Sequence, residues 1–338
     1  GLGGAGQRHL RNLRCKFGNK LEILTYPKRK KRIVLTDNFQ IQKGLTLENK
    51  YKIQVFDTIQ KALEKKPKAA FVSTPTILHV PIAIQAAQAG CHLFIEKPLS
   101  ASMRNIKKLK TVCLRNKLIA MIGFQLRFNP ALKLLKKKIQ ENIIGNLLSV
   151  HVDLGNYLPA WHPYEDYRQL YAAKKNLGGG VVLTQIHEFD YLYWLFGLPK
   201  KVYALGGQLS NLQIDVEDTV DVLMKMQFNK RMLPVSIHLD YLQRPATRTC
   251  KIIGTDGQIT LDLEETSLTI QHANGQEKKY KYSNFNKNQM FQAAVNHFFK
   301  CITRKAQPIV DLKAGIDSLK IALAVKESLT KNKVIVIQ

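Results

Sequence analysis

Residues 91–100 read CHLFIEKPLS (Cys91–Ser100), a short apolar run at 93–95 that stops abruptly at Glu96, Lys97 and Pro98. Apolar runs bounded by polar residues and proline suit a strand buried on both faces, the habit of parallel sheets. In an open α/β sheet, ligands collect outside the carboxyl ends of the strands. Lys97 falls at that edge, with Pro98 fixing the backbone just behind it. The competing reading is a strand end simply capped in solvent, and the flanking sequence separates the two.

Around this run, strands and helices alternate. A helical stretch at 58–65 precedes an apolar strand at 69–73, followed by Thr74, Pro75 and His79. Pro81 is expected to open an alanine-rich helix over 82–89 that Gly90 closes. A helix at 105–115 and a strand at 118–123 follow. Alternation of this kind predicts a doubly wound parallel sheet. Residues 1–6, GLGGAG, place glycines at Gly1, Gly3 and Gly6, and Leu10, Leu13 and Phe17 continue at helical spacing. Glycines so spaced permit a tight turn, close approach of a pyrophosphate, and helix packing on the sheet, with the phosphate at the helix N-terminus. Such a turn should follow a strand, so a first strand is expected to be missing from this sequence. The next strand, at 21–25, leads into Tyr26, Pro27 and the run Lys28, Arg29, Lys30, Lys31, Arg32. No carboxylate is available there for the ribose hydroxyls of NAD, while Lys28 and Arg29 suit a 2′-phosphate, so NADP is favoured over NAD. A basic surface loop is the alternative.

The net charge of +27 admits nucleic acid as a partner, but the lysines are spread along the chain, and no zinc-finger, RNP or basic-zipper pattern accompanies them. A lysine-rich surface attracting small anions is the expectation, with no specific nucleic acid. No run of 18 apolar residues suggests a membrane span, and no signal peptide is seen at the N-terminus. Five scattered cysteines without metal spacing point to reduced thiols in a cytoplasmic protein with no metal site.

Beyond residue 145 the rhythm changes to runs at 147–154, 201–208, 219–228, 233–241, 247–253, 258–263 and 267–271, with Asp256-Gly257 and Asn274-Gly275 as hairpin signals. Helices at 288–304 and 312–331 and a strand at 334–337 close the chain. The fold class is therefore α/β: an N-terminal Rossmann doubly wound parallel sheet plus a C-terminal α+β domain with a large, mostly antiparallel sheet. The expected boundaries are 1–125 for dinucleotide binding, 126–320 for substrate binding and oligomerisation, and 321–338 for the final helix end and strand. Long apolar strands suggest a homodimer or homotetramer formed through that sheet.

Residues 161–194 are dense in chemistry: Trp161, His162, Glu165, Asp166, Tyr167, Arg168 and Tyr171, then Gly178, Gly179 and Gly180, then Thr184, His187, Glu188 and Asp190. A single helix over 181–196 would set Leu183, His187 and Asp190 on one face. The glycines ahead of it would let a ligand approach its first turn. His187 as a satisfied core residue is the plainer reading.

Five stretches together, GLGGAGQRHLRNL, STPTILH, FIEKPLS, GFQLRFNP and WHPYEDYR running to GGGVVLTQIHEFDYLYWLFG, resemble the glucose-fructose oxidoreductase, inositol dehydrogenase and MocA family over essentially the whole length. The resemblance implies a two-domain, NAD(P)-dependent oxidoreductase that transfers a hydride between nicotinamide and a hydroxyl or keto carbon of a sugar, sugar acid or sugar nucleotide. It implies cofactor contacts from Gly1, Gly3, Gly6, Thr74, Pro75, His79, Glu96, Lys97 and Arg127, with Lys97 and His187 as acid-base and electrostatic groups. Trp161, His162, Tyr167, Arg168, Thr184 and His187 are the candidate substrate contacts. Members of the family carry an aspartate three or four residues before the histidine, where this chain has Leu183 and Thr184. That departure motivates an alternative, a non-catalytic dinucleotide- or sugar-binding sensor of the same fold.

Overall fold

A computed structural model describes residues 1–26 and 33–337, and the chain divides into two compact units. Unit one comprises 1–123, 162–166 and 291–316; unit two comprises 124–161, 167–290 and 317–338. The contiguous boundaries expected at 125 and 320 thus give way to a chain that returns to unit one twice, once for only five residues.

Unit one opens on helix α1 (Gly4–Phe17), whose Leu10 and Leu13 are buried. Strand β1 (Leu24–Thr25) is shorter than the expected 21–25. Strands β2 (Val34–Leu35) and β3 (Ile41–Gln42) form an antiparallel pair that the sequence did not signal, and helix α2 (Leu47–Tyr51) follows. Strand β4 (Gln54–Val55) runs parallel to β1. Helix α3 (Ile59–Glu64) starts where Thr58 accepts a hydrogen bond from the Lys61 amide. Strands β5 (Ala69–Val72), β6 (His92–Ile95) and β7 (Ala120–Ile122) form a parallel sheet in that order. Leu93, Phe94 and Ile95 are all buried, as a strand covered on both faces requires.

Between β5 and β6, helix α4 (His79–Gln88) begins at His79, before the expected Pro81. A 3-10 turn, Thr76–Leu78, feeds directly into it, and Pro81 still lies in the first turn, where no amide donor is needed. Ala83, Ala86 and Ala87 let this helix pack closely. Helix α5 (Ile106–Arg115) links β6 to β7, and residues 310 and 311 pair with Met121 and Ile122 on the far side of β7.

Unit two opens with helix α6 (Pro130–Gln140), capped by Asn129, which accepts from the Ala131 and Leu132 amides, with Pro130 as first helical residue. Its sheet comprises β8 (Leu147–Gly155), β9 (Lys201–Gly207), β10 (Thr219–Phe228), β11 (Arg231–Asp240), β12 (Thr247–Gly254), β13 (Gly257–Asp262), β14 (Ser267–His272), β15 (Glu277–Lys281) and β16 (Ile335–Val336). The strand order is β15-β14-β13-β12-β8-β11-β10-β9-β16. Every pairing is antiparallel except β8 with β11. Burial alternates strictly along β10: Val220, Val222, Met224 and Met226 are buried, while Asp221, Leu223, Lys225 and Gln227 are exposed. The expected helix over 181–196 is broken into α7 (Val181–Thr184) and α8 (His187–Phe196). At the break, Gln185 turns its side chain away to donate to the Asp240 carbonyl, and the Thr184 hydroxyl donates back to the Gly180 carbonyl. Helices α9 (Asn288–Ile302) and α10 (Leu312–Lys331) carry the chain into unit one and out again.

Candidate dinucleotide and catalytic site

The glycine turn of unit one is as tight as its spacing demands. A Cβ on Gly6 would lie 2.0 Å from the Gly1 carbonyl oxygen, and one on Gly1 would lie 2.2 Å from that of Ser73. At Gly3 a Cβ would meet nothing within 4 Å, so the backbone there is open to approach. Helix α1 has no side-chain cap and no acidic residue in its first turn. Its leading amides and dipole are therefore available to an anion. Gln7 fixes the turn by donating to the carbonyls of Leu2 and Ile33 and accepting from the Leu35 amide. The hydroxyls of Thr74 and Thr76 are buried without a hydrogen-bond partner. Open backbone, an uncapped helix and unspent hydroxyls are features that fit a dinucleotide phosphate. Lys28 and Arg29, the expected 2′-phosphate ligands, lie outside the described residues.

His79 is almost wholly buried, and its Nδ1 and Nε2 stand 2.7 and 2.8 Å from the carbonyl oxygens of Pro98 and Thr74. Burial lowers its pKa against the pull of those carbonyls and of Glu96. Its polar atoms are spent on joining the Thr74-Pro75 turn to the loop after β6, so it shapes the expected cofactor wall without offering it a donor.

Glu96 behaves similarly. Its Oε1 accepts from Nε2 of His9 at 2.6 Å, and its Oε2 would stand 3.2 Å from a Cβ on Gly123. The His9 ring packs against both Phe71 and Phe94, which stack on each other. Burial alone would raise the Glu96 carboxyl, but the His9 hydrogen bond, with the Lys97 ammonium beside it, outweighs burial and holds the group below the usual carboxylate range. A charged carboxylate is thus fixed immediately before Lys97. Sequence reasoning missed His9, whose signal was its place one helical turn after Gly6.

In unit two, Arg127 and Asp190 form a buried bidentate pair, with Nε to Oδ2 at 3.0 Å and Nη2 to Oδ1 at 2.7 Å; the Ser318 hydroxyl also donates to Oδ1. Arg127, expected at the cofactor, spends its fork on this pair. His187, the first residue of α8, accepts at Nε2 from the Gln125 amide at 3.2 Å, and its ring meets Phe124 edge-on. One element after Gly123 thus supplies both Gln125, beside the imidazole, and Arg127, which pins α8 one turn further on. Thr184 is buried, and its hydroxyl also bonds the Tyr241 phenol. The glycines before α7 do not open a path to a ligand. A Cβ on Gly179 would collide with the carbonyls of Tyr171 and Ala172, and one on Gly180 with the Glu217 carboxylate.

The expected substrate loop is divided. Trp161, Tyr167 and Arg168 belong to unit two, and His162 belongs to unit one. Trp161 meets Tyr241 edge-on, the Tyr167 phenol accepts from the Gln213 amide, and Arg168 donates to the Gln213 side chain. Among the described residues, no group of three or more His, Cys, Asp or Glu could hold a metal ion, and no helix is long and apolar enough to cross a membrane.

The Rossmann-like unit and the mixed-sheet unit define an oxidoreductase architecture, and two family models agree. Residues 1–124 match "Oxidoreductase family, NAD-binding Rossmann fold" and residues 136–337 match "Oxidoreductase family, C-terminal alpha/beta domain". The chain belongs to the Gfo/Idh/MocA oxidoreductase family. It is 28% identical over 217 residues to a 2,7-anhydro-N-acetylneuraminate hydratase of Mediterraneibacter gnavus, covering 63% of this chain and 56% of that protein. It thus spans little more than half the length of the curated relatives it first matches. A myo-inositol 2-dehydrogenase of Thermotoga maritima is 24% identical over 303 residues, 87% of this chain and 86% of that one. Among solved structures, the WlbA dehydrogenase of Bordetella pertussis, in complex with NADH and UDP-GlcNAcA, has the same fold, with a TM-score of 0.78, 21% identity, and coverage of 100% of this chain and 97% of that one.

Proposed function

We propose that this protein is a cytoplasmic NAD(P)-dependent oxidoreductase acting on a hydroxyl or keto carbon of a sugar, sugar acid or sugar nucleotide. The observation that carries the reading is the open backbone at Gly3, in a turn whose other glycines have no room for a side chain, on the unit whose central strand ends at Ile95, two residues before Lys97. Gly1, Gly3, Gly6, Thr74 and Pro75 would hold the dinucleotide, and Lys28 and Arg29 would favour NADP. The cofactor, when bound, supplies hydride acceptance or donation. Lys97 donates a hydrogen bond to the substrate oxygen and stabilises its developing negative charge. Ionised Glu96, fixed by His9, favours the protonated ammonium of its neighbour. His187 takes up the hydroxyl proton directly or through water and returns it in the reverse direction, a task suited to imidazole, whose unperturbed pKa lies near neutrality. Gln125 orients the imidazole, and the Arg127–Asp190 pair holds the helix that carries it. Copies of the chain associate as a homodimer or homotetramer through the open face of the large sheet, where Leu205, Leu223 and Met232 are exposed.

NADPH and NADH, mixed with the protein and a panel of keto-sugars and sugar nucleotides, should lose absorbance with at least one substrate. Lys97→Ala should lower turnover by about 100-fold or more while the dinucleotide still binds. Near-normal turnover in that variant would remove Lys97 from the chemistry. A second reading, binding without turnover, draws on Leu183 and Thr184, which stand where the family has an aspartate; the Thr184 hydroxyl is committed to Gly180 and Tyr241. Dinucleotide binding with no consumption across the panel would favour it.

A further inference from the structure

The five residues His162–Asp166 leave unit two and pack within unit one. Both ends of the excursion are secured in unit two. Before it, the Leu158 amide donates to the Tyr241 carbonyl and Trp161 packs on the Tyr241 ring; after it, the Tyr167 phenol accepts from the Gln213 amide. In unit one, the rings of His162 and Tyr164 stack at 5.3 Å and 17°. Both face Phe39, at 5.4 and 6.2 Å. The Arg8 guanidinium continues the stack, 5.6 Å from the centre of Phe39 and 4.1 Å from that of Phe291.

This stack lies against the glycine turn. A Cβ on Gly4 would stand 2.8 Å from the Phe39 ring and 3.4 Å from the Tyr164 hydroxyl oxygen. The phenol therefore touches the first turn of α1, where Gly4 leaves room for it. Phe39 reaches Gly4 from a backbone at φ 58, a region unfavourable for a bulky residue and retained where the surroundings impose it. Half-buried rings that met for packing alone would need neither that backbone nor a hydroxyl set beside uncapped amides.

We propose that 162–166 is a strap that holds the diphosphate of a bound dinucleotide against the glycine turn, with the Tyr164 hydroxyl donating to a phosphate oxygen and the His162–Phe39 stack fixing the phenol. His162, expected at the substrate, then serves the cofactor. The proposal rests on the dinucleotide reading above and adds to it a residue outside the glycine motif.

The test measures Kd for NADPH, NADH and ADP-ribose, the last having the diphosphate without nicotinamide, on the full chain and on Tyr164→Phe, which keeps the ring stack. Tyr164→Phe should weaken ADP-ribose and the preferred dinucleotide alike, by roughly 5- to 20-fold, the scale of one hydrogen bond to a charged group. Amide hydrogen exchange over 162–166 in the wild type should slow when ADP-ribose is added. Unchanged Kd values in Tyr164→Phe, or exchange at 162–166 indifferent to ADP-ribose in a wild type that binds it, would overturn the strap and leave the dinucleotide reading standing. A wild type that binds none of the three probes would overturn both.

Discussion

Two glycine clusters look alike in the sequence and differ in what occupies the space their missing side chains leave. At Gly1, Gly3 and Gly6, two positions are closed by neighbouring backbone, and Gly3 faces nothing within 4 Å. At Gly178, Gly179 and Gly180, the room is taken by the protein itself. Gly178 ends a short turn at φ 80, Gly179 packs on the carbonyls of Tyr171 and Ala172, and Gly180, at φ 100, makes way for the Glu217 carboxylate. Glycine reports that a side chain is not tolerated, and the neighbours decide whether the space serves a ligand or a contact within the fold.

Substitutions should separate the two clusters. The largest effect is expected for Gly6→Ala, whose Cβ would fall 2.0 Å from backbone that cannot yield without opening the turn. NADPH affinity, by titration, should drop about 100-fold or more, the equivalent of about 2.7 kcal/mol. Gly180→Ala comes next. It combines a strained left-handed backbone with a collision against Glu217, whose two oxygens accept from Lys326 at 2.8 Å. About 1–2 kcal/mol of unfolding free energy should be lost in urea titration, with Kd for NADPH unchanged in the folded fraction. A Gly180→Ala protein of normal stability that binds NADPH ten times more weakly would erase the distinction. Gly3→Ala is the mildest of the three, since its methyl enters open space. Stability should change by under about 1 kcal/mol while NADPH binding weakens roughly tenfold, because the methyl enters only the path of the phosphate.

The same contrast marks how far the sequence could be read. Strands buried on both faces, such as 93–95, and strands of alternating burial, such as 219–228, were legible because periodicity reports which faces meet the core. The parallel β8–β11 pair and the short β2–β3 hairpin were not, since neither order nor two-residue pairing leaves a periodic trace. The 181–196 stretch was legible as helical yet not as two helices. Its break depends on Gln185 reaching the Asp240 carbonyl, 55 residues away. Glu96, Lys97 and His187 stood out as residue types, but their partners His9 and Gln125 did not. A partner is chosen by distance in space, and a lone histidine on a helix carries no mark of the carboxylate it will meet. The stretch at 162–166 is visible in the sequence as aromatic and polar, but only its His162 is marked there, and for substrate, because the sequence cannot say which unit a connecting loop joins.

Acid and base should also distinguish the units, with a smaller effect than any glycine substitution. On unit two, His238 stands on β11 with Asp221 at 2.9 Å and Asp240 at 3.0 Å. Partial burial works against its charge, but hydrogen bonds and charge from the two carboxylates outweigh burial and raise its pKa. A raised folded value means that its stabilisation is complete below the unfolded value of about 6.5 and is lost as pH rises through the folded one. Glu96 in unit one has the opposite sign. Its lowered carboxyl stabilises above about 4.5 and loses that contribution only as pH falls through the lowered value. Urea unfolding of wild type and His238→Gln at pH 5.5 and pH 8 should therefore show the variant less stable at the lower pH and nearly equal at the higher. The difference should stay under about 1 kcal/mol, because the imidazole is a third exposed and solvent screens its partners. Equal stabilities at both values would show that the carboxylates do not hold the proton on this face. A deficit that grows with pH would mean that the imidazole is wanted neutral there, reversing the assigned sign.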